Sequence, residues 1–479
     1  MTTSGRLAAM GTSPPAIMHH YDLSDEFFRL WLGPDMVYSC GWWESGDGRD
    51  SLVQAQHRKI DFFAGRLGVR GGHVLDVGCG WGALLDRFVR VHGAVSGVGL
   101  TLSPSQAGFA ARRNVAEVSY LLRSWVDHEP DEPYDAVTCI EATEHFASET
   151  LSPDEKVEVY RAFFERAASW LRPGGRMGLQ LICLDNVGHA GSRPGRGPFS
   201  DLILDDIFPE SMPASLSELV LGWETHFELE DFLDHPSHYQ RTFRAWTLAY
   251  REQEALARAL LGPEKCRTYA RYFAAGEAAF RLREHSLYRV ILTKRPEPKR
   301  WAVTVRPSDI PPLTDPGDGA AGASAGAIRS HYDVSNSFYK LWLGPTMMYS
   351  SAMWAGAAAG TDLERAQQQK IDFFAARVLP VRGSWRVLDV GCGWGGNLRR
   401  LAEAHRVTGA VGLTLSPAQL DYLAQHPVTG AEIRLEDWND HDPGEPYDAI
   451  FSFGAFEHFA RDGTTGPQRI AAYRRFFRS

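Results

Sequence analysis

The residues best suited to chemistry in this chain begin at positions 74–82, VLDVGCGWG. Its first side chains are an apolar run that reads as a buried strand. Gly78 and Gly80 follow at the spacing of a tight strand-to-helix turn, and residues 83–92 continue as an amphipathic segment. Small residues let a ligand lie against the backbone, and the helix N-terminus behind them offers N–H groups. With Asp76 inside it, the stretch predicts a nucleotide-type site at the carboxyl end of the first strand of an open α/β sheet. The same stretch recurs at positions 387–395.

The elements that position this turn follow from capping and periodicity. Residues 24–32 predict a capped amphipathic helix stopped by Gly33-Pro34, with Tyr38-Ser39-Cys40 as a loop behind it. A second helix is predicted over 51–67. Beyond the turn, strands are predicted over 95–102, 118–123, 134–140 and 176–183, alternating with helices over 103–114 and 152–171. That alternation predicts a mostly parallel sheet with crossover helices. Further on come a helix over 217–223, a strand or short helix over 227–233, long helices over 238–258 and 266–283, and a closing strand over 287–293. Residues 1–15 predict disorder and 185–200 a mobile glycine-rich loop.

A chain of 479 residues exceeds one ordinary core. HYDLSDEFFRLWLGPDMVYS from His20 returns as HYDVSNSFYKLWLGPTMMYS from His331. KIDFF at Lys59 returns at Lys370, GLTLSP at Gly99 returns at Gly412, Trp125 returns as Trp438, and EHFA at Glu144 returns at Glu457. An in-order repeat of this kind is a duplicated domain. The expected organisation is a complete domain over 1–295, a Pro/Gly/Ala-rich linker over 296–327 and a partial copy over 328–479. The copy stops in the helix equivalent to 157–166, so it is expected to expose a strand edge. It would lean on the first domain or on a dimer partner, or the chain is a fragment of a longer one. A net charge of −9 and the lack of a basic stripe argue against a nucleic-acid partner. The six cysteines show no metal spacing and predict reduced thiols in a cytoplasmic protein. No apolar run is long enough to span a membrane, so any membrane contact is expected to be peripheral.

Read in order, VLDVGCGWG, GLTLSPSQ, Trp125 after the third strand and EHF after the fourth resemble the class I S-adenosylmethionine (SAM)-dependent methyltransferases. YDLSDEFFRLWLGPDMVYSC, GLTLSPSQ, EHF, IFP at Ile207 and HYQRTFRAW from His238 are similar to the cyclopropane-fatty-acid synthase family, including the mycolic acid cyclopropane synthases. The resemblance covers nearly all of the first domain and the front half of the second. It implies an α/β, Rossmann-like domain with a mostly parallel seven-stranded sheet, duplicated, the second copy incomplete. It implies SAM as cofactor, with Asp76, Gly78 and Gly80 at its tail and ribose and with Tyr38 and Ser39 on the tail carboxylate. Thr101, Leu102 and Gln106 would hold the ribose and adenine, beside the flat face of Trp125. Tyr349, Gly391, Gly393, Thr414 and Gln419 would hold cofactor in the second copy.

In the resembled family the positions of Cys40, Glu144, Tyr239 and residue 180 surround a bicarbonate ion that takes a proton from the intermediate. An alkene attacks the cofactor's methyl group and leaves a carbocation. Proton loss from the new methyl closes a cyclopropane, and loss elsewhere leaves a methyl branch. Phe27, Trp42, Trp43, Phe146 and Tyr239 are candidates to steady the cation. Two residues depart from the pattern. Gln180 stands in place of a histidine and cannot titrate. Glu141 stands in place of a glycine, and its charge is expected to disfavour a carbonate and favour a cationic substrate. The first reading is therefore a C-methyltransferase acting on an alkene of a lipid, acyl chain or isoprenoid-like molecule. An amine N-methyltransferase using Glu141, Glu144 and His145 is the alternative. A third reading makes the second copy a scaffold or regulator. Ser351 there replaces Cys40, and that copy is expected not to catalyse alone.

Overall fold

The computed structural model describes residues 23–44, 50–184, 202–297, 336–354, 362–379, 384–460 and 465–478. The expectations for residues 1–15, for the loop over 185–200 and for nearly all of the linker lie outside them. The chain falls into two compact units, Met1–Ser308 and Asp309–Ser479.

In the first unit, strand β1 (His73–Val77) buries Val74, Leu75 and Val77. It ends at Gly78, whose φ of +79° is left-handed. The N–H groups of Gly78 and Cys79 both donate to the Leu100 carbonyl at 2.9 Å, which tucks the turn against the next strand. The other strands are β2 (Ser96–Thr101), β3 (Val118–Leu122), β4 (Tyr134–Ile140), β5 (Leu171–Cys183), β6 (Phe227–Asp234) and β7 (Ser286–Lys294). Their order is β3-β2-β1-β4-β5-β7-β6, parallel except that β7 runs antiparallel to both β5 and β6. The order reverses between β1 and β4, and such a reversal opens a crevice at the strands' carboxyl ends.

The helix Asp25–Leu32 forms because Ser24 caps it and its apolar residues fall on one face. That face buries Phe27, Phe28, Trp31 and Leu32 against the helices Pro236–Glu252 and Glu254–Arg281. Each large side chain buried there contributes roughly 2 kcal/mol. The long helix expected over 238–258 ends at Glu252, because Gln253 leaves helical geometry (φ −114°, ψ 15°). The next helix begins at Glu254, well before the expected 266, and kinks where Gly262 (φ +78°) precedes Pro263. Strand β5 starts at Leu171 rather than 176, and residues 227–234 are strand rather than helix.

The second unit has β8 (Trp385–Val390), β9 (Val407–Thr414), β10 (Ala431–Leu435) and β11 (Ala449–Phe451) in the order β10-β9-β8-β11. That order repeats β3-β2-β1-β4 of the first unit. In the first unit β4 goes on to pair with β5. Among the described residues no strand takes that place beside β11, and Ile450 is 56% exposed. No helix among the described residues is long and apolar enough to cross a membrane.

Candidate active site

A cavity of about 460 Å³ opens at the carboxyl ends of β1, β2 and β4. Tyr38, Ser39, Asp76, Gly78, Gly80, Thr101, Leu102, Gln106 and Trp125 all line it. The glycine turn is shaped by contact: a Cβ on Gly78 would stand 2.4 Å from that of Ala142. Thr101 Oγ1 donates to Gln106 Oε1 at 2.7 Å, and Thr138 Oγ1 donates to the Asp76 carboxylate at 2.8 Å. The Tyr38 hydroxyl donates to that of Tyr272 at 3.1 Å. Trp125 is both wall and core, packing on Phe146 and Phe163 with 8% exposure. Of the five aromatic residues expected to steady a cation, only Phe146 lines the cavity. Phe27 packs on Tyr269, Trp42 stacks on Phe62, and Trp43 Nε1 donates to Thr242 Oγ1 at 3.0 Å. The second unit has a smaller cavity of about 120 Å³, lined by Tyr349, Gly391, Gly393, Thr414 and Gln419.

Behind the inner wall lie Cys40, Glu144, Gln180 and Tyr239, all buried and none of them lining the cavity. Glu141 stands between them and the open space. Its Oε1 accepts from the Cys40 backbone N–H at 2.9 Å and from Gln180 Nε2 at 2.7 Å, and its Oε2 accepts from the Tyr239 hydroxyl at 2.6 Å. Glu144 faces elsewhere: Oε1 accepts from the Ile182 N–H at 2.7 Å, and Oε2 from Thr143 Oγ1 at 3.2 Å. His145 Nδ1 is hydrogen-bonded with Ser211 Oγ at 2.7 Å, and its ring lies against Phe208. The Tyr239 ring packs against both Phe243 and Phe280, which themselves stack on each other, and this fixes where its hydroxyl points.

Two buried cations escaped the sequence reading. Arg289 on β7 is fully buried. Its Nε donates to Gln180 Oε1 at 2.7 Å, its Nη2 to the Gly41 carbonyl at 3.0 Å, and its guanidinium lies 5.0 Å from the Trp42 ring centre. An arginine can only donate, so it holds the Gln180 oxygen and turns the amide nitrogen toward Glu141. Lys59 Nζ donates to Ser39 Oγ at 2.6 Å. Both lie in ordinary helix and strand patterns, where a cation reads as solvated surface. The repeat of KIDFF was the one available signal for Lys59.

The charges sort themselves. Burial pushes the Cys40 thiol up to about 12, so it stays protonated. Burial lowers Lys59 to about 8 and His145 to about 4. Glu141 is also raised by burial, against the pull of its three hydrogen bonds and of Lys59. Glu144 is pushed up to about 8, by burial first and then by the charge on Glu141. Three donors and Lys59 favour the charged form of Glu141, and that charge in turn favours the proton on Glu144.

The family model described as mycolic acid cyclopropane synthetase matches residues 11–290 and 321–479. The chain belongs to this family. It is 32% identical over 299 residues to cyclopropane mycolic acid synthase 2 of Mycobacterium leprae (59% of this chain, 94% of the relative). It is 34% identical over 278 residues to cyclopropane mycolic acid synthase 1 of Mycobacterium tuberculosis (56% of this chain, 92% of the relative). The solved structure of mycolic acid cyclopropane synthase CmaA1 complexed with SAH and CTAB superposes with a TM-score of 0.53 at 31% identity, over 60% of this chain and all of that one. Like these mycolic acid cyclopropane synthases, the chain is a SAM-dependent methyltransferase, and both of its repeats lie within the family match.

The raised Glu144 carboxyl carries a stability signature in this family member. The unfolded chain releases that proton near 4.5, the folded chain near 8. Between those values the folded state holds more protons, so its stability falls as pH rises. The buried histidines and Asp76 act at lower pH, and Lys59, lowered to about 8, begins to offset the loss only as pH nears that value. From pH 7 to pH 8 the first unit should therefore lose roughly 1 kcal/mol in urea unfolding. Glu144→Gln should flatten that slope. An unchanged slope in the variant would assign it to another group.

Proposed function

We propose that the first unit transfers a methyl group from SAM to an alkene carbon of a lipid or acyl chain, with a cyclopropane ring or a methyl branch as the product. The observation that carries this reading is the buried carboxylate cluster at the inner wall of a cavity whose outer wall has every expected cofactor residue. When bound, SAM supplies an electrophilic methyl group. Gly78 and Gly80 leave its tail and ribose room at the backbone, Tyr38, Ser39 and Asp76 lie at the tail, and Thr101, Leu102, Gln106 and Trp125 take the ribose and adenine. The cavity fits this group because the turn has no side chain where the backbone must be approached. Glu144 and Tyr239 polarise the inner wall, Cys40 serves through its N–H rather than its thiol, and Gln180 relays the pull of Arg289. His145, neutral and bonded to Ser211, positions the loop rather than moving a proton.

The bicarbonate implied by the resemblance does not fit this reading. The Cys40 N–H, Gln180 Nε2 and the Tyr239 hydroxyl already donate to Glu141, and a further anion would meet the charge on that carboxylate. The same hydrogen bonds weaken the amine alternative, since the Glu141 charge expected to attract a cation is matched by donors and by Lys59. The working organisation is a complete domain over 1–295, a linker over 296–327 and a partial copy over 328–479 that holds cofactor without catalysing. Access to lipid is from a peripheral position. Six buried free cysteines accord with a reducing, cytoplasmic setting.

The test is methyl-labelled SAM with lipid extract and a panel of alkenes and amines, read by proton NMR. Upfield ring protons or a new methyl branch on carbon are expected. Label on nitrogen would replace this reading with amine methylation.

A further inference from the structure

We infer that Glu141 is the base of this enzyme, a carboxylate of the chain itself seated where an external anion would otherwise accept the proton. The inference rests on the alkene-methylation reading above.

Three independent features lead to it. First, of Cys40, Glu141, Glu144, Gln180 and Tyr239 only Glu141 lines the cavity, and of the other titratable lining groups beside it His145 is bonded to Ser211 and Lys59 to Ser39, so Glu141 is the carboxylate of this cluster that opens onto it. Second, its two oxygens receive a backbone N–H, an amide and a phenol, from Cys40, Gln180 and Tyr239. A carboxylate so held is fixed in place, and it remains an acceptor with further lone pairs for a proton arriving from the cavity. Third, its backbone is strained. Glu141 has φ +53°, a left-handed conformation that costs a non-glycine residue roughly 1 kcal/mol. The second copy has Gly454 at the matching position with φ +72°, where no such cost arises. The backbone is therefore one that glycine fits, and the first unit keeps a glutamate there. Strain retained against an available glycine marks a residue kept for its side chain.

The step balances without any other reactant. The alkene π pair forms the new carbon–carbon bond to the methyl carbon, and the S–CH3 pair stays on sulfur. Glu141 takes a proton from the new methyl, and the released C–H pair closes the ring onto the cationic carbon. The protonated Glu141 returns its proton to solvent when the products leave the cavity.

Wild type, Glu141→Gln and Glu141→Gly are compared as full-length protein with methyl-labelled SAM and vesicles of dioleoylphosphatidylglycerol, in carbonate-free buffer and with added bicarbonate. SAH affinity is measured beside each. Glycine relieves the strain, so that variant is expected to fold. Wild type should turn over equally in both buffers. Glu141→Gln should lose about 100-fold or more with SAH binding intact, and bicarbonate should not restore it, because the amide still fills the seat. Glu141→Gly should be equally slow in carbonate-free buffer and should recover with bicarbonate. Dependence of the wild type on bicarbonate, or full activity of Glu141→Gln, overturns the inference. If no form transfers label while SAH still binds, the substrate reading fails. The assignment of the seat is then decided by carbon-13 bicarbonate titration of the SAH-loaded proteins. Binding to Glu141→Gly alone upholds it, and binding to wild type overturns it.

Discussion

Gly78→Ala is expected to abolish SAH binding and methyl transfer while Gly391→Ala leaves transfer intact. The two glycines are the same residue of the repeat, with the same φ of +79°. A Cβ on Gly78 would lie 2.4 Å from the Cβ of Ala142, and one on Gly391 would lie 2.4 Å from that of Ala455. Neither neighbour has a flexible end to yield, so the turn must move in either variant. Such overpacking costs roughly 1–3 kcal/mol, to which the left-handed backbone adds strain. In the first unit the displaced turn is the wall proposed above for the cofactor tail, and affinity for SAH should fall about 100-fold or more, equivalent to roughly 3 kcal/mol. In the second unit the same damage removes at most the cofactor held there, because Ser351 replaces Cys40 and Gly454 replaces Glu141. Calorimetry with SAH and a labelled-methyl assay on both variants check this. Loss of transfer in Gly391→Ala with Gly78→Ala still active would move catalysis to the second unit.

Arg289→Met should destabilise the first unit by about 3–5 kcal/mol, the cost of leaving buried polar partners without their cation. Among the described residues the guanidinium is the one donor to Gln180 Oε1, at 2.7 Å, and it also holds the Gly41 carbonyl and the Nδ1 of His235. It further supports the ionised Glu141, so its loss should raise that carboxyl and slow transfer even in the protein that remains folded. Arg289→Lys should not restore stability, because one ammonium cannot reach three acceptors set in a fork. Urea unfolding followed by tryptophan fluorescence reads the first prediction, and pH profiles of turnover read the second. A variant as stable as wild type would show that the guanidinium's own desolvation cancels its hydrogen bonds.

Much of this architecture was legible locally. Alternation of short strands with amphipathic helices carried the parallel sheet, because side-chain periodicity reports burial without reference to distant residues. The glycines at 78 and 80 carried the tight turn after β1, since a left-handed backbone leaves its mark on residue type. The repeat carried the second unit in the same way, and its four strands repeat the order of the first. Where a helix breaks between two weakly marked residues, as at Gln253, the pattern ran on past the true end.

The site is where the sequence ran out. Glu141 stood out only against the glycine of the resembled family, and without its neighbours an added charge near a site points to a cationic substrate. Its actual partners are Cys40, 101 residues away, Tyr239, 98 residues away, and Gln180, 39 residues away. Gln180 looked like a histidine lost, but its meaning depends on Arg289, 109 residues further on, which no local pattern joins to it. Residue types and spacing determined the fold, the glycine turn and the repeated strand order, because those depend on periodicity and backbone conformation. Which carboxylate keeps its charge and faces the cavity was decided only by tertiary structure, because hydrogen bonds and desolvation depend on neighbours that the chain brings together in space.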